Sequence, residues 1–472
     1  MLGKKLLKTI ITMLLLLNIS MQPAICSNIK ELKTQRLQQK SAKLSCSCEY
    51  KLAAINIEWW NNFSDPYLKD YIFQAVTKNH DLKRAALRTE EYREMVKSTF
   101  SHELPSLNFI PTFARIKTAR NQIGDIEFAT TRSNIYALPF VARYELDIFL
   151  RNHDRTKSAK MEKEAAEYEE KAANIIMAAD VATLYINIIK LDKVIQTQKK
   201  VTEIREKIFD MTKDRNKAGL ASVYDVTYTD RLHTQAQIEL NDLMRQRSLY
   251  LHQLAVYIDE CPANAYALPR GKFDELEYKG KIPECISSEV VAMRPDIMKA
   301  EAQLKKAKID INIAKKEFLP TIPVIGVAGY NSLLLKRLFD WRNVMALVGV
   351  AAFEKIYTGG NMMANLRTKK VQFEQLLENY RQIDLTALQE INDSLCMIKF
   401  DTKKDKDNLK KVKLERSNLK LIYERFKAGI TSYLDYIQYE ETLLSLQTEQ
   451  DNSKAQRLID YITLYKATGT KL

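Results

Sequence analysis

Arg215-Asn216-Lys217-Ala218-Gly219-Leu220-Ala221-Ser222-Val223-Tyr224-Asp225 returns later in the chain as Arg425-Phe426-Lys427-Ala428-Gly429-Ile430-Thr431-Ser432-Tyr433-Leu434-Asp435. Arg, Lys, Ala, Gly, Ser and Asp keep their offsets, 210 positions on (425 minus 215). Each copy stands between long segments that contain neither Gly nor Pro. A Gly just beyond one helix and a Ser opening the next is the chemistry of a tight helix–turn–helix. The stretch therefore predicts the tips of two long helical hairpins, and with them a tandem duplication.

Outward from the first tip, residues 152–218 are free of Gly and Pro, and Leu184, Ile188, Leu191 and Ile195 step by threes and fours. That spacing is a coiled-coil seam, and about 65 helical residues extend on the order of 100 Å. A returning helix is expected over 222–259, ending before Cys261-Pro262. Residues 262–284, rich in Pro, Gly and charge, read as a linker. Beyond it Arg294-Pro295-Asp296-Ile297 aligns with Asn79-His80-Asp81-Leu82 at an offset of 215 (294 minus 79), and long helices follow at 361–428 and 432–466. The offset falls from 215 to 210 after Pro320, within a stretch that a strand connection tolerates better than a packed helix.

Before each long helix the period changes from helical to two. From Asn134 to Phe149 the even positions are Tyr136, Leu138, Phe140, Ala142, Tyr144, Leu146 and Ile148, while the odd ones include Arg143, Glu145 and Asp147. This describes a strand with one apolar and one charged face, paired with a shorter strand through Leu107, Phe109 and Phe113 in a β-hairpin at about 106–149. A second hairpin is expected at about 321–357. The pattern fits equally a soluble half-buried hairpin and a membrane barrel whose charged face lines a wet lumen. A single helix is expected from Pro66, capped by Asp65, to about Phe100.

The amino-terminal 1–26 read as a signal peptide, with Lys4, Lys5 and Lys8 before an apolar run. Cys26 is an alternative lipidation site, but Ile25 before it is not the small residue such a site wants. Residues 27–64 are expected to form a surface strap, and no later apolar run is expected to reach the roughly 18 residues of a spanning helix. The repeats are then 65–261 and 285–468. Cys261 and Cys285 flank the linker and either pair in an oxidising compartment or stay apart.

The formal charge of +14 raises the question of nucleic acid, but no segment combines basic residues with aromatic stacking platforms, so solvated helix faces are the favoured reading. The five His residues lack metal spacing, and there is no phosphate loop or nucleophile elbow. No enzyme activity, cofactor or metal is expected. The fold class is mainly α with a β part segregated from very long rods, which suggests two environments. Two hairpins cannot close a barrel alone, so their edges call for oligomerisation.

The chain resembles the TolC-like outer-membrane factor family, in its pump-driven efflux branch. The resemblance rests on Trp59-Trp60…Phe63…Asp65-Pro66…Leu68, Asn79…Asp81-Leu82…Ala85, Tyr144-Glu145-Leu146-Asp147, Arg294-Pro295-Asp296-Ile297…Ala300-Glu301…Leu304, Pro320 and the paired tips. It implies a homotrimer with a twelve-stranded barrel in the outer membrane and a periplasmic α-helical tunnel. It also implies a passive exit duct coupled to a periplasmic adaptor and an inner-membrane pump, with the linker in an equatorial belt. Where relatives often carry Gly before the long helix, this chain has Phe149-Leu150-Arg151. Carried over by position, the adaptor-docking residues are Arg215, Lys217, Gly219, Ser222, Asp225, Arg425, Lys427, Gly429, Ser432 and Asp435. Leu434, Asp435 and Gln438 fall at the expected constriction, where three Asp435 carboxylates would form a cation-selecting ring. Arg143, Glu145 and Asp147 are the candidates for the barrel lumen. A structural envelope stalk without transport is the alternative, and it leaves the strand hairpins unexplained.

Overall fold

The structure is a computed structural model, and it describes residues 59–117, 121–123, 126–128, 132–283 and 286–469. The signal peptide, Cys26, most of the strap and Cys285 lie outside these residues, and so does the question of a Cys261–Cys285 bond.

Asp65 caps α1 (Pro66–Lys78), its Oδ1 accepting from the Tyr67 N–H at 2.8 Å, with Pro66 where a missing N–H costs nothing. The single helix expected to Phe100 is two. Asn79 ends α1 by donating its N–H to the Ala75 carbonyl, and its side chain accepts from the Asp81 N–H at 2.8 Å to start α2 (His80–Phe100). The amide competes with the helix for backbone donors and so divides it.

The long hairpins are α3 (Arg151–Lys217) with α4 (Val223–Tyr257), and α7 (Asn361–Lys427) with α8 (Tyr433–Thr468). Between them come the short α5 (Ser288–Ala292) and α6 (Pro295–Lys316). Both α3 and α7 have 67 residues, roughly 100 Å at 1.5 Å per residue. Helix α4 packs on α3, α3 on α8 and α8 on α7, giving the lateral order α4-α3-α8-α7. The helix-start motif of the second repeat is also a clamp. Arg294 is buried, pairs with Asp296 and Glu390 at 2.7 Å each, and donates to the Ala467 carbonyl at 2.6 Å, joining α6 to α7 and to the end of α8.

The main core is a belt partway along the rods. Leu68 and Ile72 of α1, Tyr185 and Ile189 of α3, Leu251 and Leu254 of α4, and Leu458 and Ile462 of α8 meet there. The presumed linker is part of it, since Ala265, Phe273 and Leu276 are buried in the same cluster. One 18-residue window of α3 is long and apolar enough to cross a membrane, contrary to the sequence expectation, yet 56% of it is buried. Its apolarity serves this belt, where α3 is covered by several partners at once.

The sheet begins with β1 (Ser106–Phe109) and β2 (Thr112–Lys117), two halves of one strand on the same edge of β5 (Arg132–Glu145). The short β3 (Asn121–Ile123) and β4 (Ile126–Phe128) pair with each other. In the second repeat β6 (Pro323–Ser332) pairs with β5 and β7 (Val344–Val350) with β6, all antiparallel. Pro139 sits inside β5, opposite Gly329, where a side chain would come within 2.2 Å of the Leu138 carbonyl oxygen. A proline in mid-strand lacks its ladder donor and marks an irregularity, which here coincides with the break between β1 and β2.

Registers place Leu107, Phe109, Phe113, Tyr136, Leu138, Phe140, Val324, Ala328, Tyr330, Val344, Ala346 and Val348 on one continuous apolar face. Phe109–Phe140 and Phe113–Tyr136 pack across strands on that face at 4.8 and 5.0 Å. The opposite face is mixed rather than uniformly charged: Ser106, Asn108, Thr112, Arg143, Glu145 and Asn331 share it with Val141, Ile325, Val327 and Leu347. The strand expected to reach Phe149 stops at Glu145, and the second hairpin stops at Val350 rather than Tyr357.

Candidate functional site

The two tips close with the same hydrogen bonds. At the first, the Leu220 N–H reaches the Arg215 carbonyl at 2.8 Å and the Gly219 N–H reaches Asn216 at 2.9 Å. At the second, Ile430 reaches Arg425 and Gly429 reaches Phe426, both at 2.9 Å. This six-residue closure needs a left-handed residue, supplied by Gly219 at φ +72° and Gly429 at φ +74°. Nothing lies within 4 Å of where a Cβ would sit on either, so backbone conformation, not crowding, demands glycine.

Ser222 and Ser432 then open the returning helices. Each hydroxyl accepts the N–H of the Asp three residues on, Asp225 or Asp435, at 3.1 Å, and donates to that carboxylate at 2.7 Å. Asp225 also accepts the Ser222 N–H at 2.9 Å, completing a capping box. These Ser222 hydrogen bonds hold the Asp225 carboxyl below its usual range. Lys217 pairs with Asp214 at 2.8 Å, which lowers the Asp214 carboxyl and raises the Lys217 ammonium. Lys427 pairs with Glu424 at 3.7 Å and lies 4.4 Å over the Tyr423 ring.

The tips differ where the repeated motif differs. At the first, Asn216 Nδ2 donates to the Ala221 carbonyl at 2.8 Å and braces the turn. Its counterpart Phe426 instead stacks on Tyr436 at 5.9 Å and packs on Tyr433 at 5.5 Å, with Tyr423 on Tyr436 at 5.5 Å. Phe426 is not among the tip residues singled out from the sequence, so the aromatic brace it anchors was missed there. The i, i+3 spacing of Tyr423–Phe426 and Tyr433–Tyr436 was the available signal. Leu220, Val223 and Tyr224 are exposed at one tip, Ile430 and Tyr433 at the other.

Of the expected constriction, Leu434 packs against the apolar cluster of Ile204, Ile208, Ile437 and Leu444 that joins α3 to α8. Arg205 fixes the same seam through Glu441, its Nε donating at 2.7 Å. Gln438 is exposed and borders two grooves. One, of about 670 Å³, lies between the hairpin ends with Arg215, Leu220 and Asp225. The other, of about 500 Å³, has Arg425, Ile430 and Asp435.

The three lumen candidates separate. Arg143 stands exposed on the mixed sheet face. Glu145 ends β5 and accepts from Arg151 Nη2 at 2.5 Å. Asp147 lies past the strand, where its oxygens accept the N–H groups of Arg151 at 2.6 Å and His153 at 2.9 Å, capping the start of α3. Period-two alternation ran on through Asp147 in the sequence, but the backbone had already left the sheet.

The sequence model for the family described as outer membrane efflux protein matches residues 72–258 and 286–470, the two repeats. The chain is 25% identical over 419 residues to the probable efflux pump outer membrane protein TtgC of Pseudomonas putida, covering 89% of this chain and 86% of that one. It is 27% identical over 432 residues to outer membrane protein OprJ of Pseudomonas aeruginosa, covering 88% and 87%. The structure of the CmeC outer membrane channel of Campylobacter jejuni shares the fold, with a TM-score of 0.82 at 21% identity over 91% of both chains.

Proposed function

The chain belongs to the outer membrane efflux protein family, and from that premise we propose that three copies close into one outer-membrane efflux channel. The observation that carries the reading is a pair of open flanks on each layer. The sheet ends at β1/β2 on one side and β7 on the other, and the helices end at α4 and α7. In both layers one flank belongs to the first repeat and the other to the second. Copies therefore join head to tail, first repeat to second, which closes into a ring. Open strand edges are not tolerated in lipid, so closure and membrane insertion go together. Exposed Phe400, Leu414 and Leu421 recur at multiples of seven on α7, and Ile238, Leu249 and Val256 are exposed on α4. They supply apolar surface for such a seam. Three copies, the number implied by the resemblance, make twelve strands.

In this assembly the apolar sheet face meets lipid, and the mixed face with Ser106, Asn108, Arg143 and Asn331 lines the lumen. The helices extend into the periplasm as a tunnel. The exposed tips receive a periplasmic adaptor, and an inner-membrane pump supplies the energy, since a duct has no chemistry of its own. The relative TtgC, a probable efflux pump outer membrane protein, supports this partnership. Asp435 and Gln438 form the polar ring at the narrow end, while Leu434 holds α8 in place behind them.

The test uses the symmetry of the motif. Asp225 and Asp435 make the same bond to their capping Ser, so Asp225→Ala controls for the loss of a helix cap. In planar bilayers Asp435→Ala should lower cation selectivity and divalent-cation block, while Asp225→Ala leaves both unchanged. Equal behaviour of the two variants removes Asp435 from the constriction. Absence of conductance from the native protein refutes the channel itself.

A further inference from the structure

The connection between β6 and β7 lies at the end of the sheet remote from the helices, and its composition is unlike that of a solvent loop. Leu333, Leu334, Leu335, Phe339 and Trp341 are 59–79% exposed. Between them stand exposed Lys336, Arg337 and Arg342, against a single acid, Asp340. The segment is nonetheless ordered from within. The Arg337 N–H reaches Leu334 at 3.0 Å, Asp340 reaches Arg337 at 3.1 Å and Asn343 reaches Asp340 at 2.8 Å. The Asp340 carboxylate accepts the Arg342 N–H at 3.2 Å, and Leu338 is buried beneath the turn. Five large apolar side chains held outward by an ordered backbone are costly in water.

Phe339 ties the loop to the sheet. Its ring meets Tyr330 edge-on at 5.7 Å, and Tyr330 belongs to the continuous apolar face of the sheet through its register with Leu138 and Val344. The loop thus extends the surface assigned to lipid, at the level where that surface ends. Trp with Lys and Arg at such a boundary matches the chemistry of a membrane interface, with an apolar body below and charge at the headgroups.

We propose that this loop lies in the outer leaflet, with Leu333–Leu335, Phe339 and Trp341 among the upper acyl chains and Lys336, Arg337 and Arg342 bound to phosphorylated lipid headgroups. The inference rests on the outer-membrane channel reading above. Guanidinium and ammonium groups bind phosphate by charge-assisted hydrogen bonds, and the single acid of residues 333–343, Asp340, is engaged as a turn cap. Binding therefore depends on these three side chains.

The full chain is reconstituted in phosphatidylcholine vesicles brominated near the headgroup end of the acyl chains, with and without lipid A as the phosphorylated lipid. Only Trp59, Trp60 and Trp341 fluoresce as tryptophan, and the difference between native protein and Trp341→Phe isolates Trp341. Its emission is expected to be blue-shifted and quenched by bromine but not by aqueous iodide. The variant Lys336→Gln/Arg337→Gln/Arg342→Gln should conduct normally yet hold lipid A about fivefold more weakly per charge removed, and inorganic phosphate should not displace the lipid. A Trp341 quenched by iodide, or shielded from both quenchers by the lumen or a second copy, overturns the proposal, as does undiminished lipid A binding by the triple variant. Conducting vesicles with either result sink this proposal alone. Vesicles that do not conduct sink the channel reading and this one with it.

Discussion

Asp460→Asn tests whether a carboxylate buried between α7 and α8 costs the fold stability at neutral pH. Asp460 is 1% exposed. Its Oδ1 accepts from Gln456 Nε2 at 2.9 Å, while the buried Oδ2 has no donor. Burial raises the carboxyl to about 6; the Gln456 bond opposes the rise and the Asp401 carboxyl adds to it. Unfolded, the group titrates near 3.8. Between these values the folded chain binds the extra proton, so stability rises as pH falls from 6 toward 4 and is flat above 6. The gap corresponds to roughly 3 kcal/mol at most. Asn keeps the shape and needs no proton, so it should stabilise the protein by about 2–3 kcal/mol at pH 7.5 and by little at pH 4. With about 2 cal/mol/K of unfolding entropy per residue over roughly 400 residues, that is about 3 °C in Tm. Asp451, also raised to about 6 by burial, should leave the variant with part of the native pH slope. The assay is circular dichroism of the detergent-solubilised protein at both pH values and one scan rate. An unchanged Tm at pH 7.5, or a gain of equal size at pH 4, refutes the argument.

Two further substitutions probe the joints of the fold. Leu150 occupies the left-handed region at φ +55°, and its counterpart 210 positions on is Gly360 at φ +83°. Leu150→Gly should therefore raise stability by up to about 1 kcal/mol, the relief of strain exceeding the entropy of glycine; a lower Tm would show that the exposed Leu150 side chain packs in the assembled channel. At Gly271 a Cβ would lie 2.1 Å from Asp65 Oδ2, an atom that also accepts the Tyr185 hydroxyl at 2.8 Å. Gly271→Ala should cost about 2–3 kcal/mol and release the 262–283 segment to proteolysis, and a variant as protease-resistant as the native chain would count against that network.

Much of this was legible along the chain because it is written within a few residues. Glycine followed three positions later by serine, and serine three before aspartate, specify the closing bonds of both tips without reference to anything else. Asn79 was equally readable as a cap, but the helical periodicity on both sides of it hid the break. The aspartate at 147 shows the opposite limit. Its place in an alternating pattern suggested a lumen, and only the backbone turn after Glu145 revealed it as a helix cap.

What the sequence by itself determined is the duplication, the two long hairpins, the strand-bearing segments before them and the chemistry of the turns. Each follows from a period or a cap, which is a local competition for backbone hydrogen bonds. Only the tertiary structure decided which helices lie side by side, that Ala265, Phe273 and Leu276 anchor residues 262–283 in the belt, that Phe426 braces one tip with aromatic rings, and that Phe339 of the β6–β7 loop packs on Tyr330 of the apolar sheet face. Those outcomes turn on surfaces brought together from distant parts of the chain, as Arg205 meets Glu441 across 236 positions. Their partners are chosen by shape and burial rather than by any spacing along the sequence.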